Sequence, residues 1–292
     1  MKKILITGAG GQLGRELSSL GPSFPEFELI ALDKSQLDLT KADHIQDSIQ
    51  GYRPDFCLNC AAYTAVDRAE SEAKRAFEIN AEGAGILAEA CRSLEIPLVH
   101  YSTDYVYHNG LDRPLTEADP VQPRSVYART KLGGENAVLE GQPRSIVLRT
   151  SWVYSPFGHN FVKSMLRLGK ERKELKVVSD QIGTPTYAHD LARASLHMLD
   201  ALQKGQLDGP PWGTYNYSNE GVCSWYDFAL EIFDMCDLPC RVSPIPSEAY
   251  PTAALRPHYS VLDKSKFKKT FQTAIPWWKD SLRDCLSRMK LV

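Results

Sequence analysis

Lys3-Ile4-Leu5-Ile6-Thr7-Gly8-Ala9-Gly10-Gly11-Gln12-Leu13-Gly14 is the stretch that decides the fold. A short apolar run ends in glycines spaced G-x-x-G-x-x-G, and an amphipathic segment follows. The run reads as a strand, the segment as a helix, and the turn between them as a dinucleotide-binding turn. Gly8 allows the tight turn, Gly11 lets the backbone approach a pyrophosphate, and Gly14 lets helix and strand pack closely while the helix N-terminus faces the anion.

Working outward, Glu28–Leu32, Asp55–Asn59, Leu98–Ser102 and Ser145–Arg149 read as further strands with helical periodicity between them. That succession predicts an α/β fold of the Rossmann type, a doubly wound parallel sheet with right-handed crossovers. Asp67–Leu94 reads as one long helical segment interrupted by Asn80, Gly83 and Gly85, which weaken a helix. After about Trp152 the pattern loosens, with helical pieces at Phe161–Leu168, Asp190–Leu202 and Trp225–Asp234 and a turn-rich stretch at Gln206–Gly213. The expected division is a cofactor domain over residues 1–151 and a smaller, mainly substrate-binding lobe over residues 152–292, with segments free to cross between them.

Composition narrows the function. The 292 residues are 43% hydrophobic and 24% charged, with a net charge of −2, so no strong field gathers a nucleic acid or an anionic membrane. No stretch approaches a membrane span or a signal peptide, and a cytoplasmic location is expected. The seven cysteines are odd in number and scattered, which points to free thiols rather than a disulfide framework. Cys57 and Cys60 have redox or zinc spacing, but residues three apart on a strand point to opposite faces.

Ligands of such sheets sit beyond the carboxyl ends of the strands, where this sequence carries its chemistry. Asp33 ends the second strand, 19 residues after Gly14, near the offset at which a carboxylate binds the adenosine ribose. Lys34 beside it suits a 2′-phosphate, so NADPH and NADH both stay open. Asp38 and Leu39 are placed to bracket the adenine, and Ala61, Ala62 and Tyr63 to line the ribose and nicotinamide side. Thr103 and Asp104 close the fourth strand, and Tyr127-Ala128-Arg129-Thr130-Lys131 opens a helix. Residues four apart share a helical face, so the Lys131 ammonium is expected beside the Tyr127 phenol, lowering it from ~10 towards neutrality. In a reduction, Tyr127 would give a proton to the oxygen formed by hydride transfer, Thr103 would hydrogen-bond that oxygen, and Lys131 would also hold the nicotinamide ribose.

Several motifs in order carry a resemblance. They are Gly8–Gly14 with Gln12, Asn59–Asp67, Ser102-Thr103-Asp104-Tyr105-Val106-Tyr107, Tyr127–Lys131, Arg149–Tyr154, and Arg256-Pro257 with Leu262-Asp263. With these the chain resembles the extended short-chain dehydrogenases and, within them, the bacterial dTDP-4-dehydrorhamnose reductase family. The resemblance implies reduction of the C4 ketone of dTDP-4-dehydro-L-rhamnose, with Thr103, Tyr127 and Lys131 as the triad. It adds Gln12 and Leu13 to the cofactor contacts and assigns Thr103, Asp104 and Trp152 to substrate, Trp152 remaining open between a sugar-facing and a core indole. Gln181 lies in a segment, Asp180–Thr186, similar to a substrate-side loop of the family, and Arg256 could take the diphosphate as a charged fork. Some members form Mg2+-dependent dimers through acidic surface residues; no such cluster stands out here, and metal and homodimer are left open. His108, where the family often has another residue, reads as a polar loop side chain.

Two other readings stand beside this one. A nucleotide-sugar epimerase would share the cofactor and the Tyr-Lys pair but release no oxidised cofactor, whereas a dehydratase would need an acid where this chain has Tyr105. A non-catalytic, NAD(P)-binding regulatory subunit would keep the fold without turnover.

Overall fold

A computed structural model describes residues 1–292. The first half runs β1 (Lys2–Thr7), α1 (Gln12–Leu20), β2 (Phe27–Leu32), α2 (Ala42–Tyr52), β3 (Phe56–Asn59), α3 (Val66–Ala69), α4 (Ala73–Phe77), a π-helical turn (Glu78–Glu82), α5 (Gly83–Ser93), β4 (Leu98–Thr103), α6 (Val126–Gly141) and β5 (Ser145–Thr150). The second half runs β6 (Val153–Tyr154), α7 (Phe161–Glu171), β7 (Glu174–Val178), β8 (Ile182–Gly183), β9 (Thr186–Tyr187), α8 (Ala188–Lys204), β10 (Gly213–Asn216), β11 (Cys223–Ser224), α9 (Trp225–Met235), β12 (Arg241–Ile245), α10 (Ser265–Phe271) and α11 (Trp278–Arg288).

Six parallel strands form the central sheet in the order β10-β5-β4-β3-β1-β2. Every residue of β3, β4 and β5 is buried, as expected of strands covered by helices on both faces. One apolar layer joins Ile4, Ile6 and Leu58 of the sheet to Leu17 of α1 and Leu191 and Leu199 of α8. The opposite layer joins Leu5, Cys57 and Val147 to Ile45 of α2, Leu87 and Cys91 of α5 and Val138 of α6. A third core, with Tyr154, Val162, Val177, Phe228, Trp278 and Leu282, lies wholly beyond residue 151. The chain turns back from β1 to β2 on one side and proceeds to β3 on the other, so the sheet's switch point opens between the carboxyl ends of β1 and β3.

Two segments depart from the sequence reading. Residues 67–94 are not one helix: the chain leaves helical geometry at Glu72, whose φ is −114° and ψ 36°, and restarts as α4, the π turn and α5. The wide turn presents the Asn80 side chain inward, where it accepts from Tyr63 N at 2.8 Å and donates to Tyr63 O and Thr130 Oγ1, both at 3.1 Å. The turn-rich stretch ending at Gly213 runs into β10, a short strand that enters the sheet beside β5. Its four residues carry no alternation long enough to read, and α8 and α10 likewise return to the layer on the sheet.

Below α6 lies a buried ion pair. Arg149 of β5 grips Glu135 of α6 through Nε at 3.0 and 3.1 Å and Nη2 at 2.6 Å. Ser102 of β4 donates to the same carboxylate, and Arg149 Nη1 donates to Tyr107 Oη, which donates to Asn216 of β10. An Arg149→Met substitution leaves the Glu135 carboxyl 1% exposed and without its guanidinium partner. A loss of about 3–5 kcal/mol is expected in urea unfolding, most of it recovered when Glu135→Leu is added.

Candidate active site

The turn after β1 is built as its glycines require. Gly8 has φ +64°, and a Cβ there would stand 2.7 Å from the Ala61 backbone at the end of β3. A Cβ on Gly14 would stand 2.6 Å from Ala9 Cα and Gly8 O, so α1 packs against its own turn only through glycine. Gly10 and Gly11 differ: an added Cβ meets nothing within 4 Å at Gly10 and only Gly8 O, at 3.2 Å, at Gly11. The rim of the turn faces open space, and α1 follows Gly11, its N-cap, with no side-chain cap and no acidic residue in its first turn. Its first N–H groups are therefore free for an anion, and this cradle fits a pyrophosphate.

Three adjoining clefts extend from this turn. The first, of about 400 Å³, is lined by Gly8, Gly11, Asp38, Leu39, Ala61, Ala62 and Tyr63 together with Lys34, Arg68 and Arg75. It shares Gly11, Cys60, Ala62 and Thr64 with a second, of about 590 Å³, which holds Gln12, Leu13, Thr103, Asp104, Tyr127, Lys131 and Trp152. Tyr105 and Trp225 join the second to a third, of about 920 Å³, walled by β7, α7, Gln181 and Arg256. Gly14 lies behind the turn and Asp33 at the outer end of β2, so neither lines these clefts.

Several side chains are engaged in ways the sequence did not disclose. Asp33 Oδ1 caps its own turn, accepting from Ser35 N at 2.8 Å and Ser35 Oγ at 2.6 Å. Asp38 does the same for Thr40, at 3.0 and 2.9 Å. Gln12 reaches across to the second lobe, accepting from Asn160 Nδ2 at 2.8 Å. Gln181 is buried and donates to Ser247 Oγ at 3.0 Å. Arg256 forms a two-pronged pair with Asp67, at 3.1 and 2.7 Å. Trp152 is half-buried and stacked on Trp225, with ring centroids 3.6 Å apart and planes 11° apart, and its backbone φ is +48°. That left-handed conformation is strained for an aromatic residue, and such strain gathers at binding sites. His108 stands outside all three clefts.

At the centre, Ser125 caps α6 by accepting from Ala128 N at 3.1 Å, so that Tyr127 and Lys131 enter the cleft from the first turns. Burial pushes the Tyr127 phenol up to about 12, against a lowering by the Thr103 hydroxyl. The expected lowering by Lys131 is absent, because the Lys131 ammonium is aimed elsewhere: Nζ donates to Tyr101 O at 2.6 Å and lies 3.4 Å from His100 Nε2. Burial brings Lys131 itself down to about 8, with Glu135 opposing. Asp104 is 1% exposed, its carboxyl raised to about 6 by burial. Its Oδ1 accepts from Thr103 Oγ1 at 3.1 Å, while Oδ2 has no hydrogen-bond partner. Tyr105 meets Tyr127 edge to face, with centroids 5.8 Å apart.

His100, Asn59, Tyr105 and Trp225 were not singled out from the sequence as site residues. His100 and Asn59 offered one signal, polar side chains on strands otherwise filled with apolar residues. No group of three His, Cys, Asp or Glu side chains is placed to hold a metal ion, and Glu16, fully buried between the lobes, is taken by Arg288, His189 and Ser155 at 2.9, 3.1 and 2.8 Å. Cys57 and Cys60 pack into opposite layers, and all seven cysteines are free. No helix is long and apolar enough to cross a membrane.

The family model of the RmlD substrate binding domain matches residues 1–291. A dTDP-4-dehydrorhamnose reductase of Aggregatibacter actinomycetemcomitans is 40% identical over 291 residues, 97% of this chain and 98% of that protein. Among solved structures, a dTDP-4-dehydrorhamnose reductase of Clostridium acetobutylicum superposes with a TM-score of 0.92 at 41% identity, covering 99% of each chain. One from Bacillus anthracis, solved in complex with NADP, gives 0.91 at 38% identity, over 98% of this chain and 99% of that one. The chain belongs to the RmlD family, that of the dTDP-4-dehydrorhamnose reductases, and is an oxidoreductase with a Rossmann-type nicotinamide-cofactor fold.

Proposed function

We propose that this protein reduces the C4 ketone of dTDP-4-dehydro-L-rhamnose to dTDP-L-rhamnose, with Tyr127 as the proton donor. The observation that carries the reading is the continuous groove, in which Tyr127 and Lys131 stand between an anion-binding glycine turn and a large second-lobe cleft. Gly8, Gly11, Gln12 and Leu13 would hold the cofactor's pyrophosphate end, Asp38 and Leu39 its adenine, and Ala61, Ala62 and Tyr63 its riboses. Lys34 and Arg75 add positive charge to a first cleft that also holds Asp38 and the Arg68–Glu72 ion pair, and Asp33 is engaged in its own turn, which supports NADPH over NADH. Residues 152–292 supply most of the substrate contacts.

When bound, the nicotinamide supplies the hydride. Tyr127, protonated at neutral pH, gives its phenolic proton to the oxygen of the former ketone, so carbon gains a hydride, oxygen a proton, and the product is an alcohol. Thr103 turns its hydroxyl from Asp104 to that same oxygen. Lys131, whose acidity lies near neutrality, returns a proton to the Tyr127 oxygen. The unpartnered Oδ2 of Asp104 accepts from a sugar hydroxyl, Trp152 offers its face to the ring, and Gln181 and Arg256 face the nucleotide end, Arg256 exchanging Asp67 for a phosphate oxygen.

Absorbance at the nicotinamide band, followed with the dTDP-4-keto sugar and each cofactor, tests the reading. Stoichiometric oxidation with dTDP-L-rhamnose as product is expected, faster with NADPH; a changed sugar without oxidised cofactor would instead make the protein an epimerase. Tyr127→Phe should lower kcat by about 10²–10⁴ while leaving cofactor binding intact by calorimetry. Because the protonated form of Lys131 is the active one, kcat/KM should fall as pH rises through about 8.

A further inference from the structure

Beneath Lys131 a chain of buried polar groups crosses the ends of three strands. Ala61 N donates to Thr7 Oγ1 at 3.1 Å, and the Thr7 hydroxyl donates to Asn59 Oδ1 at 2.7 Å. That order turns the Asn59 amide nitrogen towards His100 Nδ1, 3.0 Å away. Nδ1 must therefore accept, and the single proton of the neutral ring sits on Nε2. Thr7, Asn59 and His100 are each at most 1% exposed, so no water competes for these bonds.

The consequence falls on Lys131. His100 Nε2, carrying its hydrogen, faces Nζ at 3.4 Å, while Nζ already donates to Tyr101 O. An ammonium has three donors and nothing to accept with, whereas a neutral amine has a lone pair for the Nε2–H. We infer that His100 is a positioning residue for the reduction: its tautomer, fixed by Asn59 and Thr7, sets an N–H rather than an acceptor against the Lys131 ammonium and so makes Lys131 a readier proton donor.

Glu135 acts on Lys131 from its own helix and His100 and the Tyr101 carbonyl from β4, while Asp104 acts on Tyr127, four residues before Lys131 on the same face of α6. Of these, Glu135, held by Arg149 and Ser102, favours the ammonium, and the His100 Nε2–H is the contact that opposes it. Burial and the Lys131 charge both hold the His100 ring neutral. Because the strand-end chain begins at Ala61 N, the cofactor-side wall and Lys131 share one hydrogen-bonded support.

The inference rests on the reductase reading, and two near-isosteric variants separate it from a structural role. Glutamine places an amide N–H where Nε2 stands; asparagine keeps a polar atom near Nδ1 but none at Lys131. His100→Asn should lower kcat about tenfold and move the alkaline limb of kcat/KM up by about one pH unit, with KM for the sugar little changed. His100→Gln should restore both. If His100→Asn fails to fold, Asn59→Leu, which frees the ring to turn its lone pair on the ammonium, should show the same upward shift. Wild-type rate and pH profile in His100→Asn, or equal loss in both His100 variants with only the melting temperature altered, would overturn the inference alone. A wild-type chain that oxidises no cofactor overturns the reductase reading and this inference with it.

Discussion

The arrangement of this active site depends on one buried ion pair, Glu135 with Arg149. Tyr127, Lys131 and Glu135 are spaced four residues apart on α6 and share a face. Glu135 is tied to β5 by three guanidinium contacts and to β4 by Ser102, so the roll of the helix about its axis is set at its third turn. The first two turns then deliver a phenol and an ammonium to the groove. Desolvating two charges is costly, and an apolar pair of equal volume would serve stability as well. What the ion pair adds is direction: a planar fork that accepts one carboxylate orientation and reaches through Tyr107 to β10, so sheet edge and helix are set together.

Around that helix, the fold brings two kinds of surface to one place. The switch point between β1 and β3 exposes backbone N–H groups at the glycine turn, a site for negative charge made without any charged side chain. Beyond Thr150 the backbone passes through Trp152 in a left-handed conformation that costs of order 1–3 kcal/mol, offset by the stack on Trp225 and close packing on Gly183. Gln12 then bonds Asn160 across the groove, tying the cofactor turn to the start of α7.

Much of this was legible in the sequence, and the limits are physical. The glycine turn, the first five strands and the shared helical face of Tyr127 and Lys131 follow from local spacing, and Thr103 joins them in one cleft because it ends β4, but the aim of the Lys131 ammonium at Tyr101 O instead of the phenol did not show. β10 did not show, because four residues carry no periodicity and its pairing with β5 spans more than sixty positions. The break at Glu72 did not show either: no Gly or Pro marks it, and the Glu72 carboxylate is engaged by Tyr63 and Arg68, a contact that spacing does not reveal. Asp33 illustrates the same limit, since its offset marks it for a ribose while its carboxylate closes a turn with Ser35.

Arg256 shows how a residue can be both engaged and available. Its pair with Asp67 is two-pronged but open to water, Asp67 remaining 46% exposed. Pairs of that kind contribute about 0–1 kcal/mol, so exchanging the carboxylate for another oxyanion is cheap. Holding the guanidinium in a fixed plane beforehand nevertheless removes rotamer freedom that a ligand would otherwise have to restrict. Asp67 also accepts from Ala254 N at 3.1 Å, so the same carboxylate fixes the segment that carries Arg256. An oxyanion that took the guanidinium from Asp67 would leave the bond from Ala254 N to that carboxylate in place, exchanging partners without reordering the loop. The buried Glu135–Arg149 pair has no such freedom, and the contrast in exposure separates the ion pair that shapes the site from the one that can answer a ligand.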